Sequence, residues 1–162
     1  MIKLSERDGT PCEAGRRAVR DILLKRADRC LFATDADVDR LVAQCGGHPR
    51  ELLRLLKLCC EFAEDLCIDT ATVDSAIKQL ASEYRRFLEP DDYALLARID
   101  QDDSHAGNDQ RTRRLLYNLA LLEYNDGTWR RSHPVVRTLE GYRRAAEASG
   151  AAVAAVPRHA GV

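Results

Sequence analysis

The chain has 162 residues, 45% of them apolar and 31% charged, with a formal net charge of −1. That length suits one ordinary domain or two small ones, and a near-zero charge excludes a global field drawing the chain onto DNA or a membrane surface. No apolar run approaches about 18 residues and residues 1–6 lack the apolar centre of a signal peptide, so neither a membrane span nor a secretory leader is expected and the chain reads as cytoplasmic.

Residues 1–13, with Asp8-Gly9-Thr10-Pro11, are polar and turn-rich and read as an extended lead-in. Ala18, Val19, Ile22 and Leu23 recur at helical spacing and predict a helix from Ala14 to about Arg29. Thr34 is placed to cap a second helix, with Asp35 and Asp37 in its first turn. Its apolar positions are Val38, Leu41, Val42 and Cys45, and Gly46-Gly47 ends it. Pro49 then suits the first turn of a third helix. The apolar set of that helix, Leu52 through Leu66, is wider than one stripe, which predicts burial on several sides.

Asp69 and Thr70 cap a fourth helix whose face is Val73, Ala76, Ile77, Leu80, Tyr84 and Leu88. Pro90 opens a fifth, with Tyr93, Leu95, Leu96 and Ile99. Residues 101–110 are a polar loop, and a sixth helix carries Leu115, Leu116 and Leu119. The pattern then changes. Aromatic residues Tyr124 and Trp129 flank Asn125-Asp126-Gly127, which signals a β-hairpin. His133-Pro134 ends it, and Val135, Val136 and Leu139 start a last helix. Helix, helix, hairpin, helix outlines a winged helix-turn-helix module.

Charge is unevenly spread. Residues 61–108 hold four basic and twelve acidic residues, and residues 109–162 hold nine basic and five acidic. A basic C-terminal surface is therefore expected. Cys12, Cys30, Cys45, Cys59, Cys60 and Cys67 form no C-x-x-C pair, and Cys45, Cys59 and Cys60 read as reduced core residues. His48, His105, His133 and His159 are too scattered for a metal site, and His48 reads as a turn residue.

Gly46-Gly47-His48-Pro49-Arg50-Glu51-Leu52 fits the form G-G-x-x-R-x-L. With four helices around it and a winged module downstream, the chain resembles the C-terminal part of AAA+ family ATPases over roughly residues 10–140. A four-helix lid followed by a winged helix is the arrangement of the origin-recognition/Cdc6-like branch and of related signalling ATPases, which the chain resembles. The resemblance implies a mainly α fold: a four-helix AAA+-type lid followed by a winged helix-turn-helix with one short β-hairpin. The expected organisation is a lead-in at 1–13, a lid-like domain at 14–88, a winged-helix-like domain at 89–145 and a disordered alanine-rich tail at 146–162. It also implies that Gly46, Gly47 and Arg50 form a sensor 2 motif, with Arg50 reaching the γ-phosphate of ATP held by another domain.

The sequence departs from that family where phosphate chemistry is concerned. There is no G-x-x-x-x-G-K-[ST] and no apolar strand ending in Asp-Glu, so nothing here cradles phosphates or holds Mg²⁺. This chain alone is not expected to be an enzyme. ATP and Mg²⁺ enter only with an AAA+ core domain expected upstream of Met1.

The expected binding surface of the winged module is Arg111, Arg113 and Arg114 on the sixth helix and Arg130 and Arg131 on the second hairpin strand. Such arginines suit phosphates of duplex DNA or an acidic protein partner. Strand alternation points Arg130 and Arg131 to opposite faces. Trp129 reads as hairpin packing. The pairs Asp91-Asp92 and Asp102-Asp103 read as solvated, and no catalytic residue is expected. The alternatives to the ATPase reading are a DNA-binding winged-helix protein without a nucleotide role and a protein-interaction adaptor.

Overall fold

The computed structural model describes residues 1–64, 66–125 and 127–154, with side-chain surroundings up to residue 150. The fold is mainly helical with one small antiparallel sheet. In chain order it runs α1 (Glu13–Leu24), α2 (Asp35–Gln44), α3 (Pro49–Phe62), α4 (Thr70–Arg85), α5 (Pro90–Gln101), α6 (Gln110–Tyr117), β1 (Leu121–Tyr124), β2 (Trp129–Ser132) and α7 (Glu140–Ala154). No helix among the described residues is long and apolar enough to cross a membrane.

Local chemistry sets most helix starts. Thr34 and Asp37 form a reciprocal capping box on α2: the Thr34 N–H donates to Asp37 Oδ2 at 3.0 Å and the Asp37 N–H to Thr34 Oγ1 at 3.3 Å. The other Asp37 oxygen accepts from Thr70 Oγ1 at 2.7 Å and so ties the start of α2 to the start of α4. Asp69 caps α4 through the Thr72 N–H at 2.8 Å, and Asp109 caps α6 through the N–H groups of Arg111 and Thr112. Pro49 and Pro90 occupy the first turns of α3 and α5, where a missing N–H costs nothing.

Side chains from Leu4 to Tyr142 share one buried apolar cluster. It crosses the boundary expected at 88/89, because Leu88, Tyr93 and Leu96 pack into the same interior as Leu52, Leu55 and Leu80. α3 lies on α4, and α5 lies on α7 and β2. The lead-in is not a free extended strand. Leu4 is buried, the Cys12 N–H bonds back to the Leu4 carbonyl at 3.0 Å, and Ser5 and Pro11 form an antiparallel bridge.

Three expectations are corrected. α3 buries one broad face rather than several: Leu53 and Phe62 are exposed, Cys60 is exposed, and Leu66 is 85% exposed at φ +57° beyond the helix end. Val135, Val136 and Leu139 do not start the last helix. They form a 3-10 turn at Val136–Thr138, and α7 begins at Glu140. α7 then runs to Ala154, so residues 146–154 of the expected disordered tail are helical; residues 155–162 lie outside the described residues.

The hairpin forms as its sequence predicts. Leu121 pairs with Ser132, Leu122 with Arg131, Glu123 with Arg130 and Tyr124 with Trp129. Asn125 at φ +48° and Gly127 at φ +89° turn the chain. Trp129 is buried and its ring stacks on Tyr124 with centroids 4.2 Å apart, as hairpin packing requires. Asp100 of α5 binds the other side of the hairpin, accepting from the Ser132 N–H at 2.8 Å, from Arg137 and from the Tyr142 hydroxyl of α7.

Candidate functional site

The corner between α2 and α3 is built on Gly46 and Gly47, at φ +62° and +76°. Side chains are disfavoured there twice over. A Cβ on Gly46 would stand 2.3 Å from Leu122 Cδ1, and one on Gly47 would stand 1.8 Å from the Ile2 carbonyl oxygen. Both carbonyls are taken: Gly47 accepts from the Ile2 N–H at 3.0 Å and Gly46 from the Tyr124 hydroxyl at 2.8 Å. The two glycines therefore seat the lead-in and the hairpin against the start of α3. His48 follows as N-cap, its Nδ1 accepting the Arg50 N–H at 3.2 Å.

This corner leaves Arg50 exposed in the first turn of α3. A cation there opposes the helix dipole, at a cost of a few tenths of a kcal/mol. Among the described residues no carboxylate lies within ion-pair distance of its guanidinium, the nearby Glu51 and Glu83 being taken by Arg54. Arg50 instead borders a cleft of about 450 Å³. Arg54 of α3 and Glu83 and Arg86 at the end of α4 line it, with Tyr84 and Phe87 behind and Tyr117 and Asn118 of the α6 terminus on the rim.

The charges in the cleft are not balanced locally. Arg54 engages both nearby carboxylates, Glu83 and, at 3.5 Å, Glu51. Arg86, like Arg50, has no carboxylate partner among the described residues. Arg86 at the C-terminus of α4 is favoured by the dipole there and needs no further reason; Arg50 has no such reason.

Beneath the cleft is a buried polar junction. Glu51 and His133 are 0% exposed and Tyr84 is 2% exposed. The Tyr84 hydroxyl is 3.2 Å from Glu51 Oε2 and 3.3 Å from the Leu119 carbonyl, with one proton to donate between them. Burial and the neighbouring Glu51 carboxylate push the Tyr84 phenol far up. The Val135 N–H donates to His133 Nδ1 at 3.2 Å, which places the proton of the neutral ring on Nε2. That Nε2 lies 4.0 Å from Glu51 Oε2 and has no hydrogen-bond partner. Burial lowers the His133 pKa to about 3. The junction joins α3, α4, the turn before β1 and the strand end after β2.

The five arginines expected to form a binding surface are not brought together as a free basic face. Arg111 pairs with Asp91 at 3.2 Å, and Arg114 with Asp92 Oδ2 at 2.5 Å. Arg130 pairs with Glu123 at 2.7 Å and donates to the carbonyls of Ala106 and Gly107. Arg131 donates to the Arg7 carbonyl and lies 5.7 Å from the Trp129 ring centre. Among the described residues the Arg113 side chain bonds only the Asn108 carbonyl, at 2.9 Å. The expectation of solvated carboxylates fails at Asp92, which is fully buried, caps the Glu89 N–H at 2.8 Å and receives Arg114. Asp103 also pairs, with Arg7.

Among the described residues no cluster of three or more His, Cys, Asp or Glu could hold a metal ion. Cys45 and Cys59 are buried, and burial pushes their thiols up to about 11 and about 12. The sequence pattern singles out Arg50 but not Arg86 and Tyr117, which line the same cleft, nor Glu51 and His133 in the buried junction. A glutamate inside the apolar pattern of α3 was the one available signal for the buried junction. The chain matches no family model, no curated protein and no solved structure.

Proposed function

We propose that this chain is the lid and winged-helix portion of an AAA+ or related signalling ATPase, acting in the cytoplasm. Arg50 senses the phosphate of a nucleotide held by a separate core, and the hairpin module passes the lid's position to a partner. The observation that carries this reading is Arg50 itself: an exposed arginine set against a helix dipole, without a carboxylate partner among the described residues, on the edge of a cationic cleft. A phosphate reaching that helix start would meet a positive end and a positive side chain together. Gly46 and Gly47 act in this reading as the corner that aims Arg50. ATP and Mg²⁺ belong to the core, and this chain contributes no catalytic residue.

The relay has a physical route. Glu51 follows Arg50 directly and meets Tyr84 and the hairpin-exit residue His133 in the buried junction. A ligand shifts a conformational equilibrium only by as much as it binds the two states differently, so the phosphate contact at Arg50 has to differ between lid positions. The DNA-binding alternative has less support, since Arg111, Arg114 and Arg130 already neutralise carboxylates.

The test combines this chain with a P-loop ATPase core, encoded in the same reading frame or co-purified with it. Arg50→Ala is expected to lower ATP turnover by about tenfold to a hundredfold, the loss of one charge-assisted phosphate contact. Unchanged turnover and unchanged ATP affinity in that variant would overturn the proposal.

A further inference from the structure

A second groove, of about 430 Å³, runs along a flank of α4 and shares no lining residue with the Arg50 cleft. Ile77, Ala81 and Ser82 follow one another at helical spacing along its α4 wall. Leu139, just before α7, belongs to the opposite wall. Ile77 and Ala81 are buried from the core side and Leu139 is half-buried, so the floor is apolar. The small side chains Ala81 and Ser82 leave room for another backbone to come close.

The rim carries one sign of charge once internal pairs are set aside. Arg40 is paired with Asp74, and Glu140 with Arg144. Lys78, Arg85 and Arg143 remain, all exposed and none with a carboxylate within ion-pair distance among the described residues. Arg143 bonds the Thr138 carbonyl, its Nε at 3.1 Å. The dipole at the end of α4 accounts for a cation at Arg85 but does not neutralise it toward the groove. Lys78 and Arg85 stand two turns apart on α4, about 10 Å along its axis, and Arg143 stands on the α7 side.

An occupant of this groove carries apolar groups along its middle and carboxylates on both edges. The backbone of α4 is hydrogen-bonded within the helix, so an extended segment finds no strand edge to pair with. No aromatic ring lines the groove for a nucleic-acid base to stack on. A helix fits: it satisfies its own backbone and presents a stripe of side chains with flanks of its own.

We infer that this groove docks an amphipathic helix of a protein partner. The partner's apolar stripe lies on Ile77, Ala81 and Leu139, and its flanking Asp or Glu residues meet Lys78 and Arg85 on one edge and Arg143 on the other. The inference does not depend on Arg50 or on a nucleotide.

The experiment is titration of the full chain, uniformly labelled for amide NMR, with three designed peptides of about 16 residues held helical by a side-chain lactam. One has a leucine stripe flanked by glutamates, one the same stripe flanked by lysines, and one the acidic composition with its stripe scrambled. The patterned acidic peptide is expected to shift the amides of Ile77 through Arg85 and of the first turn of α7. It should bind at least tenfold tighter than the lysine peptide, and more weakly as salt is raised. Lys78→Glu and Arg143→Glu should each weaken it several-fold, and the double variant should prefer the lysine peptide. Ser82→Trp fills the groove and should abolish binding with the amide spectrum otherwise native. Arg17→Glu, on exposed α1 surface, should change nothing. Arg50→Ala should bind the acidic peptide as the parent does, so this inference and the nucleotide reading fail separately. Equal binding of the scrambled and patterned acidic peptides would reduce the groove to a patch of charge and overturn the inference, as would no shift at millimolar peptide. Duplex DNA that displaces the acidic peptide and shifts the same amides more strongly would also overturn it, in favour of nucleic acid.

Discussion

The hydroxyl of Tyr124 donates to the carbonyl of Gly46 at 2.8 Å, joining positions 78 residues apart. The hairpin is thereby fastened to the glycine corner that starts α3. Tyr124→Phe keeps the stacking on Trp129 and leaves a buried carbonyl without its donor, so a loss of about 1 kcal/mol is expected. Gly46→Ala should cost more, about 2 kcal/mol or above, because the positive φ and the approach of Leu122 add. Urea unfolding measures both; a Gly46→Ala protein as stable as the parent would contradict the corner's role.

The buried junction should be cooperative. Glu51→Gln and Tyr84→Phe each disturb the same contact and each is expected to cost about 1–3 kcal/mol. Their double variant should lose less than the sum, with a coupling of about 0.5 kcal/mol or more. Strict additivity in a double-mutant cycle would show that the two side chains do not act on one another.

Stability should fall in mild acid through His133. Burial holds its pKa at about 3 in the fold, against an ordinary unfolded value of about 6.5. Between those values the unfolded chain binds a proton that the folded chain refuses. The stabilisation is complete above pH 6.5 and is lost as pH falls, by up to about 1.4 kcal/mol per unit. Glu51, Tyr84, His48, Arg54 and Arg137 are the polar or charged groups around it, and of these only Glu51 is a carboxylate. Urea midpoints from pH 7.5 to 4.5 should decline less steeply in His133→Gln; equal slopes would remove His133 from the account.

The basic face should behave as structure before it behaves as a binding surface. Arg114→Ala leaves the buried Asp92 carboxylate short of its cation and is expected to lower stability by about 1–3 kcal/mol, whereas Arg113→Ala should change it by less than about 0.5 kcal/mol. Duplex DNA titrated at 50 and 200 mM salt, read by fluorescence anisotropy, is expected to bind weakly, with a shallow salt slope. Tight binding with a slope near five that falls by one in each of the Arg111, Arg113 and Arg114 variants would instead revive the DNA reading.

Thiol reactivity should follow burial. Cys30, Cys60 and Cys67 are exposed, while Cys45 and Cys59 are sealed in apolar surroundings that disfavour their thiolates. Alkylation of the native chain followed by peptide mass spectrometry should modify the first three and spare the last two until denaturant is added.

Features set by neighbours in sequence were the legible ones. Thr34 and Asp37, Pro49, Asp69, and Asn125 with Gly127 each act within a few residues, and each builds the element its chemistry predicts. The misreadings lie where a distant partner decides. Asp92 reads as solvated until Arg111 and Arg114 are folded against it. Val135 and Val136 carry helical spacing, but His133 and the core hold them in a tight turn. Leu66 continues an apolar pattern past a helix end that leaves it facing water. Arg50 stands out in the sequence because its motif is local; Arg86 and Tyr117 do not, since the 30 residues between them must fold before they line one cleft.

The single interior running from Leu4 to Tyr142 bears on how any signal would travel. With Leu88, Tyr93 and Leu96 buried together with Leu52 and Leu80, the two halves have no lubricated seam between them. A push at Arg50 would therefore be carried into α4 and α5 as into one stiff body, while the hairpin, whose Leu122, Tyr124 and Trp129 pack in a small cluster of their own, follows through the Tyr124–Gly46 hydrogen bond.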